Sequence, residues 1–377
     1  MRVTYVYTWG YFHPATCGAD LVAANHLAYF RDRGWAVDCV LARDSRKDGA
    51  EQAFRAAYPW LRSLTVADLP PHRWAFGDLL WAYHRFADVP AVRAVLEQTG
   101  DLFVTNYLFT APLLRHVPKT ARRVVETVDV LSDQFALAAR PAPSAVAELR
   151  AGFLLETELD LYRLFDAAIM INADEAARVR GLGVGHARYV PRWCPGRPTG
   201  TRDAADFDLL FVASNNEINR DGIDWFYRRV YVPHLWRQGV RLGIAGGVCD
   251  GLHYTDHGVR LIGKVPGSLD PLYARSKVVV APIFAGTGLS IKTVEALAAG
   301  KALVAAPAAA RGLDPNAGAF LTLDMKADPA GTAAAIRALL ADPGRRADLE
   351  ARAAAFAARE FGWAAFTGGM DAALRAA

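Results

Sequence analysis

The chain has 377 residues, which is long for one domain and natural for two. Hydrophobic residues make up 53% of it, so it can bury substantial cores and is not a disordered protein. The net charge of +4 is mild, agrees with an anionic substrate, and does not favour nucleic acid as a partner.

Nothing in the composition indicates a membrane span or a secreted protein. No apolar run approaches the ~18–20 residues that a spanning helix needs, and the first residues form a strand pattern rather than a secretory signal. We therefore expect a cytoplasmic protein, with peripheral contact at the inner face of the membrane as a further option. The cysteines have neither paired nor metal-ligand spacing, so we expect reduced, structural thiols at Cys17, Cys39, Cys194 and Cys249.

The first half of the chain alternates strand and helix patterns. The strand at residues 2–7 leads into a long loop at residues 8–18, which lacks G-x-G-x-x-G, so a dinucleotide site is disfavoured there. Residues 74–86 are rich in aromatic and basic side chains. Ordinary helix packing by Phe76, Leu80 and Tyr83 explains most of this segment, and stacking on sugars or contact with lipid headgroups is the alternative.

Asp129 comes just after a predicted strand at residues 123–127. The carboxyl ends of parallel strands form the rim where α/β proteins build their sites. A carboxylate on that rim is placed to take the proton of an acceptor hydroxyl or to orient that hydroxyl. The alternative role of Asp129 is to cap the following helix.

A proline- and glycine-rich segment at residues 193–200 is predicted to link two domains. Asp206 and Asp208 then form a D-x-D pattern of the kind that binds metal in some enzymes. It leads into a buried strand without a further acid cluster, so we expect no metal there. Arg220 follows in a polar loop, where it is placed either to meet a phosphate group or to remain an ordinary surface arginine.

The central feature of the sequence is a βαβ unit at residues 277–305. An apolar strand is followed by a glycine turn, a helix predicted at residues 289–299, a stop at Gly300 and a second apolar strand. Gly286 and Gly288 allow the backbone to approach a ligand, and the free N–H groups at the helix start suit a diphosphate. Lys292 adds a positive charge one turn into the helix.

Glu295 lies one further turn along roughly the same helix face. A carboxylate there does not suit phosphate, but it can accept hydrogen bonds from ribose hydroxyls. The pattern therefore indicates a nucleotide site, and the alternative is a tight βα turn with an exposed Lys/Glu pair.

Residues 286–301, Gly-Thr-Gly-Leu-Ser-Ile-Lys-Thr-Val-Glu-Ala-Leu-Ala-Ala-Gly-Lys, resemble the donor-site motif of GT-B glycosyltransferases, particularly glycosyltransferase family 4. The likeness extends through the second half of the chain and, more faintly, the first. It implies an α/β GT-B fold with two Rossmann-like, doubly wound parallel-sheet domains facing a cleft. We expect an acceptor-binding domain at residues 1–192, a linker at 193–200, a sugar-nucleotide domain at 201–360, and a helix at 361–377 that crosses back to the first domain.

The resemblance also implies roles for individual residues of the second domain. The backbone of residues 286–289 would hold the diphosphate, Lys292 would assist, and Glu295 would bind ribose. The donor-site residues implied are Gly286, Thr287, Gly288, Leu289, Lys292, Glu295, Lys264, Gly246 and Arg220. One departure is Thr287, which stands where the family usually has a second glutamate that faces the donor sugar. The identity of the sugar is therefore left open.

In the first domain, residues 126–130 (Glu-Thr-Val-Asp-Val) resemble an Asp-Thr-His-Asp-Val signature of bacterial sugar transferases, with Val128 at the His position. The resemblance places Asp129 near the acceptor hydroxyl. The loop after the first strand faces the cleft in such enzymes, which makes His13 a second catalytic candidate and Gly18 an acceptor-side candidate. An ordinary loop histidine is the alternative for His13.

We therefore predict a metal-independent glycosyltransferase that uses a nucleotide-diphosphate sugar as co-substrate and no other cofactor. The acceptor would be a glycan, a lipid-linked sugar or a small molecule. Family 4 implies retention of anomeric configuration, whereas a strong base at Asp129 would suit inversion. The alternatives are a sugar-nucleotide epimerase or phosphorylase of the same fold, or a non-catalytic sugar-nucleotide-binding protein.

Overall fold

The computed structural model describes residues 1–13, 15, 18–43, 50–73, 75–138, 145–198, 205–254 and 258–375. The chain divides into two compact units. Met1–Arg192 together with Phe366–Ala377 form the first unit, and Trp193–Ala365 form the second.

The first unit contains a seven-stranded sheet in which every pairing is parallel, in the order β3-β2-β1-β4-β5-β6-β7. The central strands are buried on both faces, as their continuous apolar sequences predict. The strands are β1 (Arg2–Tyr7), β2 (Ala36–Arg43), β3 (Ser63–Asp68), β4 (Leu102–Asn106), β5 (Arg122–Thr127), β6 (Ala167–Met170) and β7 (Ala187–Tyr189).

Helices connect these strands, as parallel pairing requires. They are α1 (Gly18–Asp32), α2 (Glu51–Ala57), α3 (Phe76–Ala87), α4 (Pro90–Glu97), α5 (Leu131–Ala138), α6 (Ala145–Tyr162) and α7 (Ala173–Gly181). The segment Leu108–His116 is a 3₁₀ helix rather than the ordinary helix that its sequence suggests. Pro112 lies inside it and lacks the N–H group that an α-helical hydrogen bond needs.

The second unit contains a six-stranded parallel sheet in the order β10-β9-β8-β11-β12-β13. Its strands are β8 (Phe207–Val212), β9 (Leu242–Ala245), β10 (Val259–Gly263), β11 (Ser276–Ala281), β12 (Ala302–Ala305) and β13 (Leu321–Thr322). The order reverses between β8 and β11, as it does between β1 and β4 in the first unit. Two doubly wound parallel sheets were predicted, and that prediction is confirmed.

The α-helices of the remaining chain are α8 (Glu217–Phe226), α9 (Val232–His234), α10 (Asp270–Ala274), α11 (Ile291–Ala298), α12 (Pro329–Ala341), α13 (Pro343–Glu360) and α14 (Trp363–Arg375). Short 3₁₀ helices cover Trp236–Gln238, Gly247–Gly251, Pro307–Ala309 and Pro315–Ala317, and a π-helical turn covers Tyr227–Tyr231. Within the first unit, the hydroxyl of Tyr29 donates to Asp371 of α14 at 2.6 Å, and Arg33 pairs with the same carboxylate.

The predicted stop at Gly300 is confirmed in atomic detail. Gly300 has a φ of +63°. Its N–H group donates to the carbonyl of Leu297 at 2.9 Å, and that of Lys301 donates to Ala296 at 3.0 Å. This pair of bonds is the Schellman motif, which satisfies the last carbonyl groups of a helix.

None of the helices in the described part of the chain is both long enough and apolar enough to cross a membrane. Cys39 and Cys194 are buried and Cys249 is half-buried, and the reduced state of these thiols stays a prediction. Cys17 lies outside the described residues, as do Pro14, Thr16 and Trp74.

Candidate functional site

The turn between β11 and α11 is built from glycines in conformations that other residues avoid. Gly286 has a φ of +144° and Gly288 a φ of +63°, where a Cβ would be strained. Helix α11 begins at Ile291, two residues later than predicted, because Ser290 has an extended backbone conformation (φ −73°, ψ +96°) and is the residue that caps the helix. The turn leads through Thr287 and Leu289 to the amino end of α11 at the carboxyl edge of the sheet. The dipole of α11 and the N–H groups at its amino end favour a bound anion at this edge.

Lys292 lies in the first turn of α11 and is half-buried. Its Nζ atom donates to Oδ1 of Asn219, on α8, at 2.8 Å. The pKa of Lys292 is lowered to about 8, mainly by burial and then by the positive charge of Arg311, while the negative charge of Glu295 opposes both effects. The ammonium group is therefore still protonated at pH 7 and would be stabilised by an additional anion.

Glu295 lies three residues after Lys292, on the same side of α11. Its side chain is half-buried. Its negative charge acts on Lys292 and also on Tyr273, whose pKa is raised mainly by burial and then by this charge. The structure thus brings Glu295 and Lys292 together at the start of α11, and the assignment of Glu295 to ribose remains a prediction.

Arg311 is a basic residue at this turn that the sequence analysis missed. It follows β12 and the 3₁₀ helix Pro307–Ala309. Its Nε atom donates to the carbonyl of Gly288 at 2.8 Å, and its two terminal nitrogens donate to the carbonyls of Thr287 and Ala308. The available sequence signal was a basic residue just beyond a buried strand, but the sequence does not show that this residue folds over the glycine turn.

Helix α8, which follows β8, contributes Asn219 and Arg220, so Arg220 lies in the first turns of a helix and not in the predicted polar loop. Asn219 is buried, and its side chain also donates to the carbonyl of Ser214 at 2.9 Å, which fixes its Oδ1 toward Lys292. Arg220 donates to Oδ1 of Asn215 at 2.6 Å. Arg220 is therefore held at the same edge of the sheet as the glycine turn, on the other side of the point where the strand order reverses.

Gly246 and Lys264 follow β9 and β10. Gly246 has a φ of +97°, and a Cβ there would lie 2.1 Å from the carbonyl oxygen of Ala213. This close contact with the residue that follows β8 is by itself enough to require glycine at position 246, whether or not a ligand binds there. Lys264 is exposed and its Nζ atom lies 3.4 Å from Asp250. The predicted donor residues thus all lie at the carboxyl edge of the second sheet, where α/β proteins bind ligands.

The two acids of the D-x-D pattern lie at the opposite edge. Asp208 is paired with Lys277 at 2.8 Å and with Arg241 at 3.2 Å, and Asp206 is paired with Arg275. These pairs give both carboxylates a structural role. Among the described residues there is no group of three or more His, Cys, Asp or Glu side chains arranged to hold a metal ion.

In the first unit, Asp129 lies between β5 and α5. Its Oδ2 atom accepts from Nε2 of Gln134 at 2.9 Å. The N–H groups of Leu131 and Ser132, which begin α5, donate to Glu158 at 2.7 and 2.9 Å. Glu158 therefore caps the start of α5.

Glu126, on β5, is fully buried and was also missed as a candidate. Nδ2 of Asn106 donates to its Oε2 at 2.6 Å, and its Oε1 has no hydrogen-bond partner among the described residues. The pKa of Glu126 is raised to about 8, mainly by burial and to a smaller extent by the charge of Asp129, while the hydrogen bond from Asn106 opposes the rise. At pH 7 the Glu126 side chain is therefore mostly a neutral acid. The sequence signal that could have identified Glu126 is a glutamate within an otherwise apolar strand.

Tyr107 is the only non-glycine residue with a positive φ, +63°, in the described part of the chain. Its N–H group donates to the carbonyl of Glu126 at 2.8 Å. Its ring stacks on Phe109, with 5.1 Å between centroids, and meets Trp9 edge-on at 5.7 Å. Such strain costs ~1–3 kcal/mol and concentrates at functional sites. Tyr107 directly follows β4, and Trp9 lies two residues after the end of β1. The order of this sheet reverses between these two strands.

The other first-unit candidates lie in the loop after β1. His13 is exposed, and its ring meets that of Tyr58 edge-on at 5.9 Å. Gly18 is the first residue of α1. His13, Gly18 and Asp129 therefore all follow the carboxyl ends of strands of the first sheet, and their functional roles remain predictions.

The aromatic segment at residues 74–86 is divided between core and surface. Phe76, Tyr83 and Phe86 are buried in the core of the first unit. Trp81 is 63% exposed and stacks on His84 with 5.3 Å between ring centroids. Core packing thus explains most of this segment, as predicted.

Two comparisons relate this geometry to known proteins. Residues 206–342, which carry all the donor-side turns described above, match a family described as glycosyl transferases group 1. The predicted resemblance is therefore confirmed for this part of the chain. No curated protein is similar enough in sequence to be a match.

Solved structures share the fold over nearly the whole chain. Sucrose-phosphate synthase from Thermosynechococcus elongatus has a TM-score of 0.74 at 19% identity, over 99% of this chain and 98% of that one. HepE from Anabaena, in complex with UDP-glucose, has a TM-score of 0.68 at 15% identity, over 99% of both chains. An alpha-glucosyltransferase in complex with UDP and a 13-mer DNA containing a HMU base has a TM-score of 0.60 at 12% identity, over 100% of both. The predicted GT-B fold is confirmed.

Proposed function

We propose that this protein is a glycosyltransferase that moves a sugar from a nucleoside diphosphate sugar to a hydroxyl group of an acceptor. The observation that carries the proposal is the glycine turn before α11, with Lys292 protonated beside it and Glu295 one turn further along. Backbone N–H groups, a helix start and a lysine suit a diphosphate, and the carboxylate suits ribose.

The proposed reaction breaks the bond between the sugar C1 atom and the diphosphate oxygen. The electron pair of that bond passes to the diphosphate, the acceptor oxygen forms the new bond to C1, and the acceptor hydroxyl loses its proton. N–H groups at residues 288 and 289, the α11 dipole and the ammonium group of Lys292 would stabilise the negative charge that builds on the leaving diphosphate. These groups supply positive charge without a metal ion, so we propose a metal-independent reaction.

On the acceptor side we propose that Asp129 orients the acceptor hydroxyl or takes its proton. Asp129 follows β5 at the carboxyl edge of the first sheet, and the neighbouring Glu126 is mostly neutral at pH 7. The negative charge of Asp129 is one cause of the raised pKa of Glu126, and a carboxylate is the form that a base requires. Retention of the anomeric configuration is proposed from the resemblance to family 4.

UDP-glucose is the first donor to test, because the structure of HepE contains UDP-glucose and that of the alpha-glucosyltransferase contains UDP. Thr287 removes the acidic side chain that usually faces the donor sugar, so hexoses other than glucose belong in the same panel. Possible acceptors are glycans, lipid-linked sugars and small molecules, and peripheral contact with the membrane is part of the proposal for a lipid-linked acceptor.

The test is a panel of nucleotide sugars labelled in the sugar, incubated with the purified protein and a lipid or glycan extract. Slow hydrolysis of one donor, or transfer of label to the extract, is the expected result. A new epimer or a free sugar phosphate would instead indicate an epimerase or a phosphorylase. Binding of donor with no turnover across the panel would contradict the proposal and favour a non-catalytic binding protein.

A further inference from the structure

The guanidinium group of Arg311 lies directly against the glycine turn. A Cβ built on Gly286 would come within 2.9 Å of Nη2, 3.0 Å of Nη1 and 3.2 Å of Cζ of Arg311. The absence of a side chain at position 286 therefore leaves room for this arginine. Arg311 and the turn are packed as one unit, although they are separated by more than 20 residues of sequence.

The hydrogen bonds of Arg311 determine which way the turn presents its peptide groups. Two nitrogen atoms of its guanidinium group form a fork: Nε donates to the carbonyl of Gly288, and Nη2 donates to the carbonyl of Thr287. In a planar trans peptide the C=O and N–H groups point in opposite directions. Because both carbonyls point toward Arg311, the N–H groups of Gly288 and Leu289 point to the opposite side. These are two of the backbone donors that the proposed diphosphate site requires.

The charge of Arg311 acts on the same site through Lys292. The groups that act on Lys292 are Arg311 from the turn after β12, the uncharged Asn219 from α8, and Glu295 from α11 itself. Two cations at one helix start repel each other, and burial of the lysine adds to the cost. An anion bound at the turn would offset both effects, and Lys292 would bind its proton more tightly in the complex.

From these contacts we infer that Arg311 is a positioning residue of the diphosphate site, which holds the N–H groups of Gly288 and Leu289 toward the ligand and couples diphosphate binding to uptake of a proton by Lys292. The inference rests on the proposed function, since it assumes that the turn binds a nucleoside diphosphate. It assigns no direct contact between Arg311 and the ligand.

The coupling can be measured by isothermal titration calorimetry of UDP into the full chain at pH 8, in buffers of different ionisation enthalpy. UDP is fully ionised at this pH, since the second pKa of a phosphate group is about 6. With the pKa of Lys292 at about 8 in the free protein, binding should take up about half a proton. At pH 6.5 the uptake by Lys292 should be close to zero, because the lysine is already protonated.

Two variants separate the two parts of the role. Arg311→Gln removes both the guanidinium fork and the charge, so UDP should bind about tenfold more weakly or worse. Proton uptake at pH 8 should be smaller than in the wild type, because the pKa of Lys292 in the free variant is lowered by burial but no longer by Arg311. Arg311→Lys keeps the charge but lacks the fork, so affinity should fall while proton uptake is retained. Arg346→Gln is the matched control, because Arg346 also donates to a backbone carbonyl in the second unit, that of Leu339, and it should change neither quantity.

A purely structural arginine would not change the proton uptake. Wild-type affinity and uptake in Arg311→Gln would overturn the inference, as would equal loss of uptake in Arg311→Lys. Thermal melting of each variant shows whether it is folded. If Arg311→Gln does not fold, Arg311→Lys still decides between the two outcomes. If the wild-type protein binds none of UDP, GDP and ADP, the proposed function fails and the inference fails with it. If it binds one of them while the Arg311 variants behave as wild type, the inference alone fails.

Discussion

Nζ of Lys292 and Oδ1 of Asn219 lie 2.8 Å apart, and this hydrogen bond joins α11 to α8. The two helices follow β11 and β8, the neighbouring strands between which the order of the second sheet reverses. At such a point the two following loops diverge and leave a crevice in which α/β proteins bind ligands. Lys292 therefore lies where the fold itself favours a ligand, and its depressed pKa follows from that half-buried position.

Replacing Lys292 with methionine should weaken UDP binding about ten- to a hundredfold, because a charge-assisted hydrogen bond to a phosphate is lost. The wild-type affinity should also fall as the pH rises above about 8, since Lys292 then loses its proton, and this decline should be absent in the variant. Titration calorimetry between pH 6.5 and 9 measures both effects.

The matched control for this substitution is Lys277→Met. Lys277 lies in β11, the strand that leads to the glycine turn, but its partner is Asp208 at the opposite edge of the sheet. Its loss should lower stability and leave UDP affinity unchanged. Equal effects of the two substitutions on UDP binding would show that general weakening of the unit, rather than the site, is being measured.

Glu295→Ala should weaken UDP binding by about tenfold, because the ribose hydroxyls lose an anionic acceptor. The ribose assignment is tested more sharply with 2′-deoxy-UDP. Wild-type protein should prefer UDP to the deoxy compound, and the variant should bind the two with nearly equal affinity. A preference for UDP that persists in Glu295→Ala would remove Glu295 from contact with the 2′-hydroxyl.

The βαβ unit around the glycine turn could be predicted from the sequence because its signals are local. The two strands are continuously apolar, and Gly300 carries the left-handed conformation that ends the helix. The start of α11 was predicted two residues too early because the apolar pattern continues back to Leu289, whereas the extended backbone of Ser290 makes that residue the cap.

The residues that were missed act through partners far away in the sequence. Arg311 reaches back over 24 residues to Thr287, and Glu126 receives its hydrogen bond from Asn106, 20 residues earlier. Neither contact leaves a periodic pattern, and a single arginine or glutamate in a loop or strand has many ordinary explanations. Tertiary packing determines which of these residues belongs to a site.

Asp129→Asn should lower turnover by about a hundredfold or more, which is the range for loss of a general base. The dissociation constant for UDP should stay within about twofold, because Asp129 belongs to the first unit and all predicted donor-binding residues belong to the second. Steady-state kinetics with the donor identified from the panel, together with calorimetry, measures the two quantities.

Asp133→Asn provides the control for Asp129. Asp133 lies four residues further on, in the first turn of α5, and is paired with Arg178 rather than with Gln134. Its substitution should leave turnover nearly unchanged. Full activity of Asp129→Asn would exclude Asp129 from the reaction, and the retaining mechanism would then need no enzyme carboxylate from this loop.

Glu126 makes the stability of the protein depend on pH in a direction opposite to that of most carboxylates. Its pKa is raised from 4.5 to about 8 in the folded protein, so the folded state keeps a proton that the unfolded state loses between these values. The stability contributed by this group is therefore fully present below pH 4.5 and is lost as the pH rises toward 8, at up to about 1.4 kcal/mol per pH unit.

Glu126→Gln should remove this dependence, because glutamine is neutral at every pH and can still accept the hydrogen bond from Asn106. The buried amide adds a cost that does not vary with pH. Urea denaturation at pH 5, 6, 7 and 8 should therefore show the variant gaining stability relative to wild type as the pH rises. In the control Glu360→Gln, which removes a surface carboxylate paired with Arg359, the difference from wild type should stay nearly constant. A constant difference for Glu126→Gln as well would mean that burial does not raise the pKa of Glu126 in the folded protein.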